Sequence, residues 1–139
     1  MIIDKRLELS DAQAVTADAR STNVIDLGTV RQIGAGTPLW LVFSVDVAAD
    51  ATTGDETYTF QLHTDDNASF SSATTLESRT IAAATLVAGY QFSMAIPNTG
   101  MERYLSAYYD VGGTTPTITV SCWLTDQEPR SWRAYADGI

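Results

Sequence analysis

Residues 38–47 read PLWLVFSVDV, a nearly unbroken β-branched and aromatic run that passes into alternation at Phe43, Val45 and Val47. Such a run, eight to ten residues long and opened by proline, is the pattern of a central β-strand with one or both faces buried. Working outward, residues 56–64, ETYTFQLHT, alternate strictly, with Tyr58, Phe60 and Leu62 on one face and Thr57, Thr59, Gln61 and His63 on the other. That period of two predicts a half-buried strand and places His63 on its polar face, as a surface histidine. Residues 48–56, AADATTGDE, are small, acidic and contain glycine, so the two strands are expected to form an antiparallel hairpin.

The same pattern recurs towards the C-terminus. Tyr90, Phe92, Met94 and Ile96 alternate with polar or small residues up to Pro97, which has no N–H to give a sheet ladder. Leu105, Ala107, Tyr109 and Val111 alternate with Tyr104, Ser106, Tyr108 and Asp110 until the break GGTTP at 112–116, read as a second hairpin loop. Beyond it Ile118, Val120, Cys122 and Leu124 are expected inward, and Thr117, Thr119, Ser121 and Trp123 outward. Weaker strand candidates are 24–27, 76–81 and 132–135, with turn chemistry at Gly28, at 34–36 and at 65–67. Short strands at this spacing, without a long helical period, predict an all-β fold: a jelly-roll-type two-sheet antiparallel sandwich of about eight strands. The 139 residues make one domain, 1–139, with residues 1–20 expected as an extended N-terminal arm because the alanine-rich stretch 10–20 shows no clean helical stripe.

Composition narrows function. Eight basic against 17 acidic residues give a net charge of −9, which repels phosphate backbones, so nucleic acid is not an expected partner. Lys5 is the sole lysine and the seven arginines are scattered, which gives no basic run for an anionic membrane. The charged start and the lack of a spanning apolar stretch lead us to expect synthesis in the cytoplasm without a secretion signal. The lone Cys122 precludes an intrachain disulfide and reads as core. Asp65, Asp66 and Asn67 carry oxygen ligands of the kind calcium takes, but Asp and Asn also start turns by bonding their own backbone, the reading favoured here. One histidine, no Gly-x-Ser-x-Gly elbow and no complete metal-ligand pattern lead us to expect neither an enzyme nor a cofactor. Trp40, Trp123 and Trp132, with Tyr104 and Tyr108, are candidates for an aromatic sugar platform.

Several blocks are more distinctive: LELSDAQAVTADARSTNVIDLG at 7–28, PLWLVFSVDV at 38–47, LHTDDNASF at 62–70, GMERYLSAYY at 100–109 and SWRAYADGI at 131–139. Together they resemble the capsid cement, or decoration, proteins of tailed bacteriophages. The resemblance implies a jelly-roll subunit on the outer surface of an icosahedral head. There it would bridge neighbouring copies of the phage major capsid protein against internal pressure, after assembly in the host bacterial cytoplasm. Capsid symmetry makes a homodimer or homotrimer the natural unit, the dimer favoured. Two terminal regions are the expected contacts. The first is Ile2, Ile3, Leu7 and Leu9 with Lys5 and Arg6, apolar residues in an otherwise unanchored terminus. The second is Trp132, Arg133 and Tyr135, residue types that dominate binding hot spots. The alternative is a carbohydrate-binding or adsorption module on a phage particle, which requires its aromatic platform to be exposed on one face.

Overall fold

The computed structural model describes residues 3–33 and 36–127. Nine strands run through them: β1 (Glu8–Val15), β2 (Ala19–Arg20), β3 (Ile25–Asp26), β4 (Trp40–Val47), β5 (Thr57–Asp65), β6 (Thr74–Ala82), β7 (Gln91–Ala95), β8 (Tyr104–Gly112) and β9 (Ile118–Thr125). All pairings are antiparallel. One sheet has the order β1-β9-β4-β7 and the other β2-β8-β5-β6, with β3 also on β8. β2 and β3 are two pieces of one edge strand. Arg20 pairs with Tyr108 and Ile25 with Leu105, so four residues on the edge face only two on β8. Taken so, the fold is an eight-strand jelly roll in which the chain changes sheets at every connection except β5–β6.

That topology corrects two expectations. β4 and β5 do not form a hairpin, and neither do β8 and β9, because each pair is divided between the sheets. The connecting segments are corners of the sandwich, and turn composition alone does not separate a corner from a hairpin. The hairpin that does exist is β5–β6, opening at Asp65. The extended arm is corrected as well: residues 8–20 lie in the sandwich, where β1 pairs with β9 and β2 with β8.

The alternation read from the sequence builds the core. Leu41, Phe43 and Val45 of β4, Tyr58, Phe60 and Leu62 of β5, and Ile118, Val120, Cys122 and Leu124 of β9 are all buried. Phe43 and Phe92 stack at 5.0 Å across β4 and β7. Phe60 and Tyr109 of the opposite sheet meet Phe43 at 5.2 and 6.2 Å. Four rings therefore join the two sheets at their centre, in the tilted and edge-on arrangements that the ring quadrupole favours. Tyr109 keeps its hydroxyl satisfied by Ser10 Oγ at 2.7 Å, and burial pushes both this phenol and the Cys122 thiol well above their ordinary pKa.

Candidate functional site

The N-terminal end of the sandwich carries part of the expected contact surface. Asp4 opens a single 3-10 turn, Lys5–Leu7, by accepting the Arg6 N–H at 2.9 Å, and the Leu7 N–H bonds to the Asp4 carbonyl at 2.9 Å. The turn delivers the chain into β1. Ile3 is 44% exposed, and Lys5 and Arg6 are exposed beside it. Lys5 is held by Glu8 and, at 3.4 Å, by Asp11; the hydrogen bond it donates to Glu8 leads in raising the pKa of its ammonium. Leu7 is half-buried against the core, and a groove between Asp4, Leu7, Leu39, Leu124, Thr125 and Asp126 lies next to it. Leu9 is a correction: at 1% exposure it belongs to the core and offers nothing to a partner. Ile2, Trp132, Arg133 and Tyr135 lie outside the described residues.

The outer face of the β2-β8-β5-β6 sheet holds a cluster that sequence patterning did not single out. Arg20 lies with its guanidinium 4.1 Å from the Phe70 ring centre and 5.4 Å from that of Tyr108, and it donates to Ser106 Oγ at 2.6 Å. Cation–π contact with Phe70 of the 66–72 loop and with Tyr108 of β8 ties that loop to the sheet. Tyr108 stacks in turn on His63, centroids 4.6 Å apart and planes 10° from parallel. His63 is thus a correction too, being 8% exposed instead of a surface residue. Its Nε2 meets Gln61 Oε1 at 2.7 Å and its Nδ1 meets Arg20 at 3.4 Å. The neutral tautomer with hydrogen on Nε2 satisfies both contacts. Desolvation first, and the Arg20 charge second, lower the His63 pKa to about 4. Neither Arg20 nor Phe70 carries a motif; the pairing comes from β2 lying on β8, which links residues 43 or more positions apart.

Asp65 and Asn67, singled out at the loop after β5, hold its turn. Asp65 is fully buried and accepts from the Asn67 N–H at 3.0 Å and the Ser72 N–H at 2.8 Å. Burial is the largest single influence and acts to raise its pKa, but the backbone and side-chain hydrogen bonds it accepts together lower it. Glu56 closes the 53–56 turn in the same manner, held by the Thr53 hydroxyl and backbone and by Gly54, and its pKa falls to about 2. Arg103 forks onto Asp26 at 2.8 and 2.9 Å and brings that carboxyl to about 2. Among the described residues, no group of three or more His, Cys, Asp or Glu side chains is placed to hold a metal ion. No helix among them is long and apolar enough to cross a membrane.

Among the described residues the aromatic candidates for a sugar platform do not come together on one exposed face. Trp123 is 4% exposed and stands on the β1-β9-β4-β7 sheet, whereas Tyr104 and Tyr108 are half-buried on the opposite sheet. Trp40 is half-buried, and Trp132 lies outside the described residues.

Fold and surface together define a small jelly-roll protein whose perturbed acids, histidine and half-buried arginine are engaged with neighbouring groups of the chain. The Bbp16 family model matches residues 9–122, from β1 into β9, and the chain belongs to this phage-related family. No curated protein matches the chain.

Proposed function

We propose that this protein is a capsid cement protein, a non-enzymatic, cofactor-free virion subunit that binds the outer surface of a phage head and bridges neighbouring major capsid proteins. The observation that carries the reading is the match to a phage-related family over nearly the whole jelly roll, read together with the sequence blocks that resemble cement proteins. The charge of −9 supports it, since a subunit outside the shell has no need to meet the genome, and like charge keeps free copies apart before assembly. Binding selective for the assembled shell stabilises it by mass action, many weak contacts adding over the lattice. The contact surface is the N-terminal end, where Ile3, Lys5 and Arg6 are exposed around the 3-10 turn. Leu7 supports that turn from its half-buried position. Nucleic acid and membrane play no part in this mechanism.

The test is co-sedimentation with cement-depleted mature heads, comparing the wild type with the double variant Ile3→Asp, Arg6→Glu. Both positions are exposed, so the variant is expected to melt like the wild type. The reading expects saturable pelleting of the wild type and at least a tenfold weaker binding of the variant. No pelleting of wild type at micromolar protein contradicts it.

A further inference from the structure

We propose that His63, Arg20 and Phe70 form a proton-sensitive latch: when His63 takes up a proton, Arg20 swings off the Phe70 ring and the 66–72 loop leaves the sheet while the sandwich stays folded. The latch is a chain of contacts on the outer face of the β2-β8-β5-β6 sheet. Arg20 of β2 pairs with Tyr108 of β8, and Gln61 of β5 pairs with Tyr108 on its other side, so the three make one row across the sheet. His63 stands beside that row, opposite Ser106. Its neutral ring meets both neighbours in one way: Nε2 gives its hydrogen to Gln61 Oε1, which leaves Nδ1 as an acceptor 3.4 Å from Arg20 Nη1. The same Nη1 donates to Ser106 Oγ at 2.6 Å, and the guanidinium covers the Phe70 ring at 4.1 Å.

Phe70 is the strained member of the chain. It is buried, yet its backbone sits at φ 52°, a left-handed conformation that a bulky L-residue avoids. Such strain persists while the surroundings hold the residue in place, and a segment held so has a second conformation within reach. Asp65 fixes the two ends of the loop through the Asn67 and Ser72 N–H groups, and Arg20 holds its middle through the Phe70 ring.

A proton at Nδ1 breaks the chain at one link, where it sets N–H against N–H and charge against charge. The imidazolium keeps its place, because a cation stacked on the Tyr108 face is attracted to it and Nε2 still donates to Gln61. Arg20 is therefore the group that yields. It is half-buried, on a strand of two residues, and its long side chain brings the charge into water once it turns outward. Its departure gives up Ser106 and Phe70 together, and the loop is free to relax at Phe70. The other groups around the imidazole do not offset the clash. Ser106 of β8 and Thr75 of β6 are its uncharged partners in register. Asp65 acts on Arg20, Asp66 follows it in the loop, and Asp110 lies further along β8, opposite Thr59. Burial and the Arg20 charge, which bring the His63 pKa to about 4, keep the latch closed at neutral pH.

The experiment uses the full chain with Ser71→Cys, an exposed loop position beside Phe70, carrying a nitroxide spin label; Cys122 is fully buried and stays unlabelled. Electron paramagnetic resonance reads the mobility of the label, and far-UV circular dichroism reads the sheets at each pH. With the native latch, the immobile component is expected to fall by about half or more between about pH 7.5 and pH 4, and to return on neutralisation. Adding His63→Gln, a neutral side chain with an acceptor for Arg20, is expected to keep the label immobile throughout. Adding Arg20→Gln is expected to leave it mobile at both ends of the range. A label that stays immobile at pH 4, the same response in the His63→Gln protein, an immobile label in folded Arg20→Gln, or release that comes only with loss of the sheet signal overturns the latch. Shell binding plays no part in this test, since every reading is taken on the free protein.

Discussion

Replacing His63 with glutamine removes an imidazole whose protonation the folded sandwich opposes at mildly acidic pH. The imidazole lies flat on Tyr108, gives its Nε2 hydrogen to Gln61, and faces the Arg20 guanidinium with Nδ1 at 3.4 Å. A proton added at Nδ1 would set two N–H donors and two positive charges against each other. Burial first, and that contact second, lower the pKa to about 4 from 6.5 in the unfolded chain. Between those two values the unfolded chain binds more protons than the folded one, so stability rises with pH across this window and is lost as pH falls from 6.5 towards 4. The full difference would correspond to roughly 3 kcal/mol, and solvent near the ring reduces it to about 1–2 kcal/mol. The assay is urea unfolding followed by tryptophan fluorescence at intervals from pH 7.5 to 4.5. The wild type is expected to lose about 1–2 kcal/mol over that range, and His63→Gln to lose less than half as much. Parallel loss in the two proteins would refute the assignment of this limb to His63.

Other expectations follow from the same contacts. Phe43→Ala removes the ring shared by both sheets and should cost about 3–5 kcal/mol, read from the urea midpoint at unchanged slope; a loss under 1 kcal/mol would mean the four-ring cluster is not the centre of the core. Gly113→Ala should destabilise by more than about 1–2 kcal/mol, because φ is 94° and the new Cβ would lie 2.5 Å from the Asp55 carbonyl oxygen. Arg103→Ala should return the Asp26 carboxyl from about 2 towards its ordinary 3.8, seen by NMR titration of its side-chain carbon, with little change in melting temperature because the pair is half exposed.

Where hydrophobic alternation was regular, the sequence was sufficient. β4, β5, β7, β8 and β9 were legible because their inward residues recur every second position from Leu41 to Leu124, and an all-β sandwich follows from them. β1 was not legible. Its bulges around Ser10 and Gln13, with Ala12 at positive φ, turn the neighbours Leu9 and Ser10 both into the interior, and Asp11 and Gln13 stand between Leu9 and Val15, so no alternating apolar face is visible. β6 was only partly legible, since an edge strand of threonine, serine and charge lacks an apolar face over most of its length. Which strands pair depends on crossings between sheets, and turn residues carry no record of that. The His63 environment was hidden for the same reason: Arg20, Phe70 and Tyr108 meet it only through the β2-β8-β5 order. Of the residues proposed for shell contact, Ile3, Lys5 and Arg6 are exposed, and the sequence could not tell them from Leu9, which β1 turns into the core.

The proposed function requires that this protein stabilise an assembled shell. The most direct measurement heats cement-depleted mature heads with and without saturating protein and records the temperature at which packaged DNA becomes accessible to an intercalating dye. A clear upward shift is expected, saturating with added protein and lost with the Ile3→Asp, Arg6→Glu variant. Release at the same temperature with and without bound protein would contradict it.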